Sequence, residues 1–444
     1  MSEKNKKEEK NDLMEKIVSL CKRRGFVFPG SEVYGGLAGT YDWGHFGVAL
    51  KNNIKQNWWK KFVEGRRDMY GMDAAILMNS KVWEVSGHVA GFSDPLVECE
   101  KCKRRFRADQ IEDKQKCPEC EGKLGEVRQF NMMFATKIGA MEDSASTVYL
   151  RPETAQGMFV NFKNTVDAFH PKLPFGMAQI GKAFRNEITP RDFLFRQREF
   201  EQMEIEYFIR EGDWEKYFEY WKDEMRAWME DVGIDMAKVH ELEVSKEDLA
   251  HYSKRTVDFE FDYPFGKKEL FGLAYRTDFD LKNHKLEYVD EENSEKITPH
   301  VIEPTFGVDR AMLAVLLSAY TEDEKDGEVR PYLKFKPSIA PVICAVSPLL
   351  KNKPELVEYA NTKVFAPLKA EFGRVAWDDN GNIGKRYRRQ DEIGTPFCIV
   401  VDFDTLGEGD TGNKDTVTVR DRDTGEQTRV KIEDLKKYIK EKIS

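Results

Sequence analysis

Between Gly47 and Phe62 the apolar residues Leu50, Ile54, Trp58 and Phe62 recur four apart, the stripe of an amphipathic helix. A second stripe runs from Asp213 to Val232, where Trp214, Phe218, Trp221, Met225 and Trp228 share a face. Asp213 offers an N-cap and Gly233 a stop. From Met177 to Phe208 the period shortens to two. Two alternating runs joined by Ile188-Thr189-Pro190-Arg191-Asp192 predict strand, loop, strand. Residues two apart share a face, so Arg185 and Glu187 fall together, as do Arg198, Phe200, Gln202, Glu204 and Glu206. Paired antiparallel strands would present two arginines and several carboxylates on one platform. The plain alternative is a solvated face with cross-strand ion pairs.

Farther along, the proline-punctuated stretch Arg330 to Pro341 reads as a linker, and a unit of ordinary domain size follows it. Ile339 to Val346 and Cys398 to Phe403 read as strands, Pro354 to Phe372 as a helix, and the last twelve residues as a Lys-rich helix. Val417 to Val430 reads as a hairpin around Asp423-Thr424-Gly425. Helices and strands are interspersed, so the fold class is α/β or α+β. The glycine-rich segment Gly30 to Gly47 marks a turn-rich connection.

At 444 residues, with 40% apolar and 12% aromatic residues, the chain can fill the cores of two or three domains. A net charge of −9 argues against coating DNA non-specifically, which needs many uncompensated cations, yet leaves room for a local basic face that meets structured RNA. No apolar run approaches the roughly 20 residues of a membrane helix. Residues 1–12 alternate Lys and Glu and read as a disordered tail on a cytoplasmic protein. Four of the seven cysteines form Cys99-x2-Cys102 and Cys117-x2-Cys120, the spacing of a zinc ribbon. Four thiolates on two tight turns make a closed, structural site for Zn²⁺. Cys21, Cys344 and Cys398 read as packing residues. Between the pairs, Lys103-Arg104-Arg105-Phe106-Arg107 forms a basic knuckle, whose plain reading is a solvated finger loop.

Glu303-Pro304-Thr305-Phe306-Gly307-Val308-Asp309-Arg310 leads directly into the apolar helix Ala311 to Leu317. An arginine in the first turn of a buried helix is costly without an anion. A salt bridge supplies one, and so does a polyphosphate, whose oxygens match a guanidinium bidentately. Lys385-Arg386-Tyr387-Arg388-Arg389 is a dense basic cluster enclosing a ring, a combination suited to single-stranded RNA if it is more than a solvated face.

Phe184-Arg185-Asn186-Glu187, with Arg198-Glu199-Phe200-Glu201-Gln202-Met203-Glu204, resembles motif 2 of class II aminoacyl-tRNA synthetases. Gly307-Val308-Asp309-Arg310 resembles motif 3, and the Gly47 to Phe62 helix resembles motif 1. Within that class the chain is most similar to the dimeric glycyl-tRNA synthetases. The supporting runs are Ser31-Glu32-Val33-Tyr34-Gly35-Gly36, Ser86-Gly87-His88-Val89-Ala90-Gly91-Phe92, Arg151-Pro152-Glu153-Thr154-Ala155-Gln156-Gly157 and Arg276-Thr277-Asp278-Phe279-Asp280-Leu281.

This resemblance implies a class II catalytic domain over 13–335, with a zinc-ribbon insert at 97–125 and a helical and strand insertion at 209–300. An anticodon-binding domain over 336–444 completes it. It implies that Arg185 holds the α-phosphate of ATP and Arg310 the γ-phosphate, these two and Glu187 being catalytic. Asn186, Glu187 and the loop Phe195, Arg196, Gln197, Arg198, Glu199 and Phe200 would hold the nucleotide, Phe200 stacking on adenine. Glu269, Leu270, Gly307, Val308 and Asp309 would complete the ATP site, and Glu269 and Glu303 lie where the family binds ATP–magnesium and substrate. Around glycine the resemblance places Arg107, Glu153, Phe200, Glu201, Gln202, Met203, Glu204, Glu303, Pro304, Thr305, Phe306 and Gly307, with Glu153, Glu204 and Glu303 about its ammonium group. Lys385, Arg386, Arg388 and Arg389 would meet tRNA. The implied cofactors are ATP, Mg²⁺ and structural Zn²⁺; the implied partners are tRNA(Gly), glycine, and a second copy docked through the motif 1 helix.

Attack by an already ionised carboxylate on phosphorus needs alignment and charge neutralisation rather than an acid–base dyad. Glycine has no smaller competitor, so a filled pocket excludes larger amino acids by collision and needs no editing domain. Two positions depart from the family pattern. His45-Phe46 stands where Pro-Leu is frequent, and Thr305 stands where Ser is common, adding a methyl group near the glycine site.

Overall fold

The computed structural model describes residues 3–139, 147–290, 294–325, 327–409 and 412–443. The chain opens with helix α1 (Glu3–Arg24), so residues 3–12, expected as a disordered tail, form its first turns; residues 1–2 lie outside the described residues. Lys and Glu are strong helix formers, which accounts for the difference. Helix α2 (His45–Trp59) continues through a wider turn at Lys60–Glu64 and buries Leu50, Ile54, Trp58 and Phe62, as its stripe predicts. Helices α3 (Ala155–Phe169), α4 (Trp214–Asp231) and α5 (Val308–Ala319) complete the set that packs on the main sheet. Phe218, Trp221, Met225 and Trp228 of α4 are buried as expected. Asp213 holds the N-cap position without a side-chain capping bond.

The main sheet has seven strands: β1 (Met69–Met72), β2 (Phe175–Phe184), β3 (Glu199–Ile209), β4 (Val239–Glu243), β5 (Arg255–Tyr263), β6 (Gly266–Thr277) and β7 (His300–Gly307). Their order is β4-β5-β6-β7-β3-β2-β1, antiparallel except for the β1–β2 edge pair. Segment 209–300, expected as an insertion, therefore supplies three strands of this sheet. Long β5 and β6 bury apolar residues against the same core that the motif helices use.

Alternation along β3 sets the location of the site. Met203, Ile205, Tyr207 and Ile209 enter the large core with α2, α4 and α5. Gln202, Glu204 and Glu206 point the other way, toward the side covered by α3, where Phe208 packs with Phe159 and Phe162. One face of one strand thus carries the fold and the other the chemistry.

A second sheet comprises β8 (Cys344–Pro348), β9 (Val375–Trp377), β10 (Phe397–Val401), β11 (Thr416–Asp421) and β12 (Gln427–Lys431), in the order β9-β8-β10-β11-β12. The pairs β8–β9 and β8–β10 are parallel, and β11–β12 is the expected hairpin. Helix runs with little interruption from Pro354 to Phe372; α6 (Ile383–Glu392) and α7 (Ile432–Ile443) follow. Strand β8 begins five residues later than expected, because Ile339 and Ala340 join the large core instead. The expected linker is likewise structured. Glu328–Leu333 pairs as a hairpin with Tyr320–Lys325, and Leu333 and Phe335 are buried. Pro331 lies within that strand, opposite Glu322, where a two-stranded hairpin leaves it an edge position.

Among the described residues no helix is long and apolar enough to cross a membrane.

Candidate active site

Strand β2 ends at Phe184 and β3 begins at Glu199, so the intervening loop overhangs the open end of the sheet. Under it lies a cavity of about 270 Å³ that both Arg185 and Arg310 line. Arg185 donates Nε–H to the Pro152 carbonyl at 3.0 Å, which leaves its guanidinium 5.3 Å from the Phe200 ring centre. Arg310, in the first turn of α5, lies 4.5 Å over the Phe195 ring. Its Nη1 is 3.2 Å from Oε1 of Glu269 and donates to the Glu269 carbonyl at 3.1 Å. The guanidinium of Arg310 holds the Glu269 carboxyl below the usual carboxylate range. The anion required by a half-buried arginine is thus present, and the pair still borders open space.

The loop contributes Glu187, Phe195, Arg196 and Gln197 to the same wall, with Glu187 and Arg196 paired at 3.5 Å. Leu270, Gly307, Asp309, Glu201, Gln202 and Thr305 line it too. Arg107 reaches the cavity from the Cys-rich insert, steered by Asp94 at 2.5 Å and Asp109 at 2.8 Å.

Other predicted residues turn away. Arg198 donates to the Glu187 and Ala38 carbonyls and acts as a loop brace; Glu199 pairs with Lys182 outside the cavity. Asn186 is fixed through its backbone N–H to the Met132 carbonyl. Met203, Phe306 and Val308 lie in the large core, on the far side of the sheet from the carboxylates, and Pro304 is buried in β7. Period-two alternation makes it impossible for Met203 to share a face with Gln202 and Glu204.

Beneath the cavity a buried polar cluster continues from Thr305 and Gln202. Thr305 Oγ1 donates to Glu204 at 3.1 Å, and Thr154 Oγ1 also bonds to that carboxylate. Burial and the neighbouring Glu153 push Glu204 up. Burial opposes ionisation of Glu153 itself, but His88, at 3.3 Å, with Arg276 and Arg185 holds it below the usual range. Glu303 is pushed up to about 8 by burial against the pull of Arg276, which donates to it at 2.7 Å. Both Glu206 carboxyl oxygens lack a hydrogen-bond partner among the described residues. Burial and the facing Glu303 raise that group well above the usual range.

Sequence reasoning missed the residue that organises this cluster. Arg276 sits where the β6–β7 register slips between Tyr275 and Thr277, a bulge that turns its fully buried guanidinium inward. It grips Asp280 at 2.8 and 3.0 Å and stacks 3.8 Å from the Tyr252 ring. The Arg276-Thr277-Asp278-Phe279-Asp280 run was a visible signal without a visible role. Asp258 on β5 was missed as well; burial and the Glu269 charge push it up to about 7.

Residues 134–320 match the tRNA synthetase class II core domain (G, H, P, S and T), and residues 343–442 match an anticodon binding domain. The chain is 49% identical to the glycine–tRNA ligase of Caldanaerobacter subterraneus subsp. tengcongensis, an alignment covering 97% of this chain and 98% of the relative. It is 50% identical to that of Clostridium acetobutylicum over 97% and 98% of the two chains, and 47% identical to that of Bacillus anthracis over 97% and 99%. The chain belongs to the glycine–tRNA ligase family. It is a class II aminoacyl-tRNA synthetase.

In this synthetase the four cysteine sulfurs of the insert all lie within 4.8 Å of one another, Cys99 and Cys120 at 3.6 Å, Cys102 and Cys117 at 3.8 Å. Four sulfurs converging from two turns fit a tetrahedral thiophilic ion. The insert leans on the loop above the cavity: Thr189 Oγ1 donates to the Arg105 carbonyl at 3.4 Å, and Arg191 to Gln110 at 3.0 Å.

The basic cluster of the anticodon-binding unit is reapportioned. Arg386 is buried and donates to the carbonyls of Pro348, Asp379 and Gly381; Arg389 is tied to Asp378 at 2.6 Å. Both hold α6 in place; Arg386 is withdrawn from the surface, while the Arg389 side chain stays 30% exposed. Lys385 and Arg388 remain exposed.

Proposed function

We propose that the chain activates glycine with ATP to glycyl-adenylate and then esterifies it onto the 3′ end of tRNA(Gly). The observation that carries this reading is the convergence of Arg185 and Arg310, 125 positions apart in the chain, on one cavity. In it the glycine carboxylate attacks the α-phosphorus and pyrophosphate leaves. Arg185 steadies the α-phosphate and Arg310 the γ-phosphate, each neutralising charge as it develops. Phe200 offers a ring for adenine, with Glu187 and Arg196 at its edge. Magnesium, when bound, supplies further charge neutralisation, and Glu269 is the carboxylate suited to approach it. Glu153, Glu204 and Glu303 would receive the ammonium group, whose positive charge offsets a buried excess of acid. Thr305 keeps the family's hydroxyl by directing it to Glu204.

Several further parts belong to this proposal. Cys99, Cys102, Cys117 and Cys120 hold Zn²⁺ as a structural ion that keeps Arg107 at the cavity. Two copies pair through α2 and the segment before it, a reading supported by exposed Val33, Tyr34 and Leu37 beside α2. Lys385 and Arg388 meet tRNA, and the enzyme works in the cytoplasm.

Glycine-dependent ATP–pyrophosphate exchange by the purified chain tests the reading, with Arg185→Ala as the control. Exchange that responds to another amino acid and ignores glycine would overturn the assignment. Undiminished exchange in Arg185→Ala would remove the phosphate role.

A further inference from the structure

Glu392, the last residue of α6, is a carboxylate with a side chain only 5% exposed, and its cations come from two parts of the molecule. Arg388, one turn earlier on α6, has Nε 3.5 Å away. Arg24 Nε donates to Glu392 Oε2, and Arg23 lies 3.8 Å off; both belong to the last turn of α1, the helix that opens the catalytic part of the chain. A carboxylate this deeply buried cannot be left unpaired without a large penalty.

From Arg24 the contacts continue without slack. The Gly25 carbonyl accepts from Phe46 N–H at 3.2 Å and the Phe26 carbonyl from Gly44 N–H at 2.9 Å. A Cβ on Gly47 would lie 1.9 Å from the Phe26 oxygen, so glycine alone permits this approach of α1's end to the first turn of α2. On α2 the buried Lys51 binds Asp309 at 3.0 Å and Glu201 at 2.7 Å. Asp309 also accepts Glu201 N–H at 2.8 Å and precedes Arg310 on the cavity wall. Helix α2 is also pinned to the segment joining the two units, Asn53 donating to the Ile339 and Ala340 carbonyls at 2.9 and 3.0 Å.

We propose that Glu392 is a positioning residue for tRNA charging, which passes the seating of the anticodon-binding unit through Arg24 and α2 to the Asp309–Arg310 wall. Arg388 is 43% exposed and shares Glu392 with Arg24. An RNA phosphate that draws Arg388 outward leaves Glu392 to the α1 arginines, and α1 is drawn against α6. The link is a run of packed, paired groups, the kind of contiguous network through which coupling travels. It rests on the glycine–tRNA ligation reading above and adds to it a residue far from the reacting atoms.

The test compares wild type with Glu392→Gln, Arg24→Met and the double variant Arg24→Met/Glu392→Met, using the full chain. Three quantities are read: glycine-dependent pyrophosphate exchange, tRNA charging at saturating tRNA, and KM for tRNA. The expected result is unchanged exchange with kcat for charging lowered about tenfold, within the roughly 5–150-fold span of site coupling. The double variant should lose no more than the worse single one, because both sever one link. Arg24→Met, at a more exposed position, carries the test if Glu392→Gln fails to fold. Unchanged charging, an equal fall in exchange and charging, or a change confined to KM would each overturn the proposal. Absence of exchange in the wild type would instead strike the ligase reading itself.

Discussion

Arg386 offers a direct check on the reassignment of the basic cluster, through Arg386→Leu. The side chain is 2% exposed and donates to three backbone carbonyls, with Nη2 2.8 Å from Gly381 and 3.0 Å from Asp379 and Nη1 bonded to Pro348. Leucine fills part of the volume and strands those acceptors. A buried group left without its partner costs about 1–3 kcal/mol, and bonds to a charged donor lie at the upper end. Gly381 and Asp379 belong to a partly exposed loop where solvent replaces some of the loss, so about 3 kcal/mol is the reasoned total for the three. With a urea dependence of about 1–3 kcal/mol per molar, the unfolding midpoint of the C-terminal unit should fall by about 1–3 M. Urea titration followed by circular dichroism measures it, beside pyrophosphate exchange and tRNA charging in native buffer. A native midpoint combined with selectively weakened charging would refute the reasoning and return Arg386 to the RNA-binding surface.

Thr305→Val removes the hydroxyl that bonds Glu204 at 3.1 Å while keeping the methyl, and should raise KM for glycine about tenfold, with Thr305→Ser close to wild type. Steady-state exchange kinetics read this, and equal KM values for Val and Ser would argue that the hydroxyl is idle. Asp258, pushed up to about 7 from the ordinary aspartate value of 3.8, holds its proton more tightly folded than unfolded. Its contribution is therefore fully present below about pH 4 and lost as pH rises through 7. Asp258→Asn should gain stability relative to wild type as pH climbs across that window, and parallel urea midpoints at pH 5 and pH 7.5 would sink the argument. Chelation should release about one zinc per chain and loosen the insert, raising KM for ATP because Arg107 and the Thr189–Arg105 contact depend on it. A metal-free preparation with unchanged protease resistance at 99–120 would count against a structural ion.

Much of the site was legible because its residues are spaced by strand and helix geometry. The two motif arginines, the Cys-x2-Cys pairs and the stripes of α2 and α4 are local patterns, and local sterics reproduce them wherever the chain goes. Arg276 was opaque because its orientation depends on a bulge between β6 and β7, a register event involving strands far apart in sequence. Arg386 misled for a related reason. Composition reports charge, while burial against Pro348 and Gly381 is settled by the loop that closes over it.

By itself the sequence determined which residue types were available, their period, and the fold class those periods demand. It also showed the period-two runs on either side of Ile188-Thr189-Pro190-Arg191-Asp192, although the loop between the two strands is longer than that, running from Arg185 to Arg198. Only the tertiary structure decided which arginines face a cavity and which brace a loop. The linker became part of the core through the burial of Leu333, Phe335 and Ile339, and α1 was joined to α6 through Glu392. The physical reason is that periodicity is a property of a few neighbouring dihedrals, whereas the partner of a buried charge is chosen by every segment that packs around it.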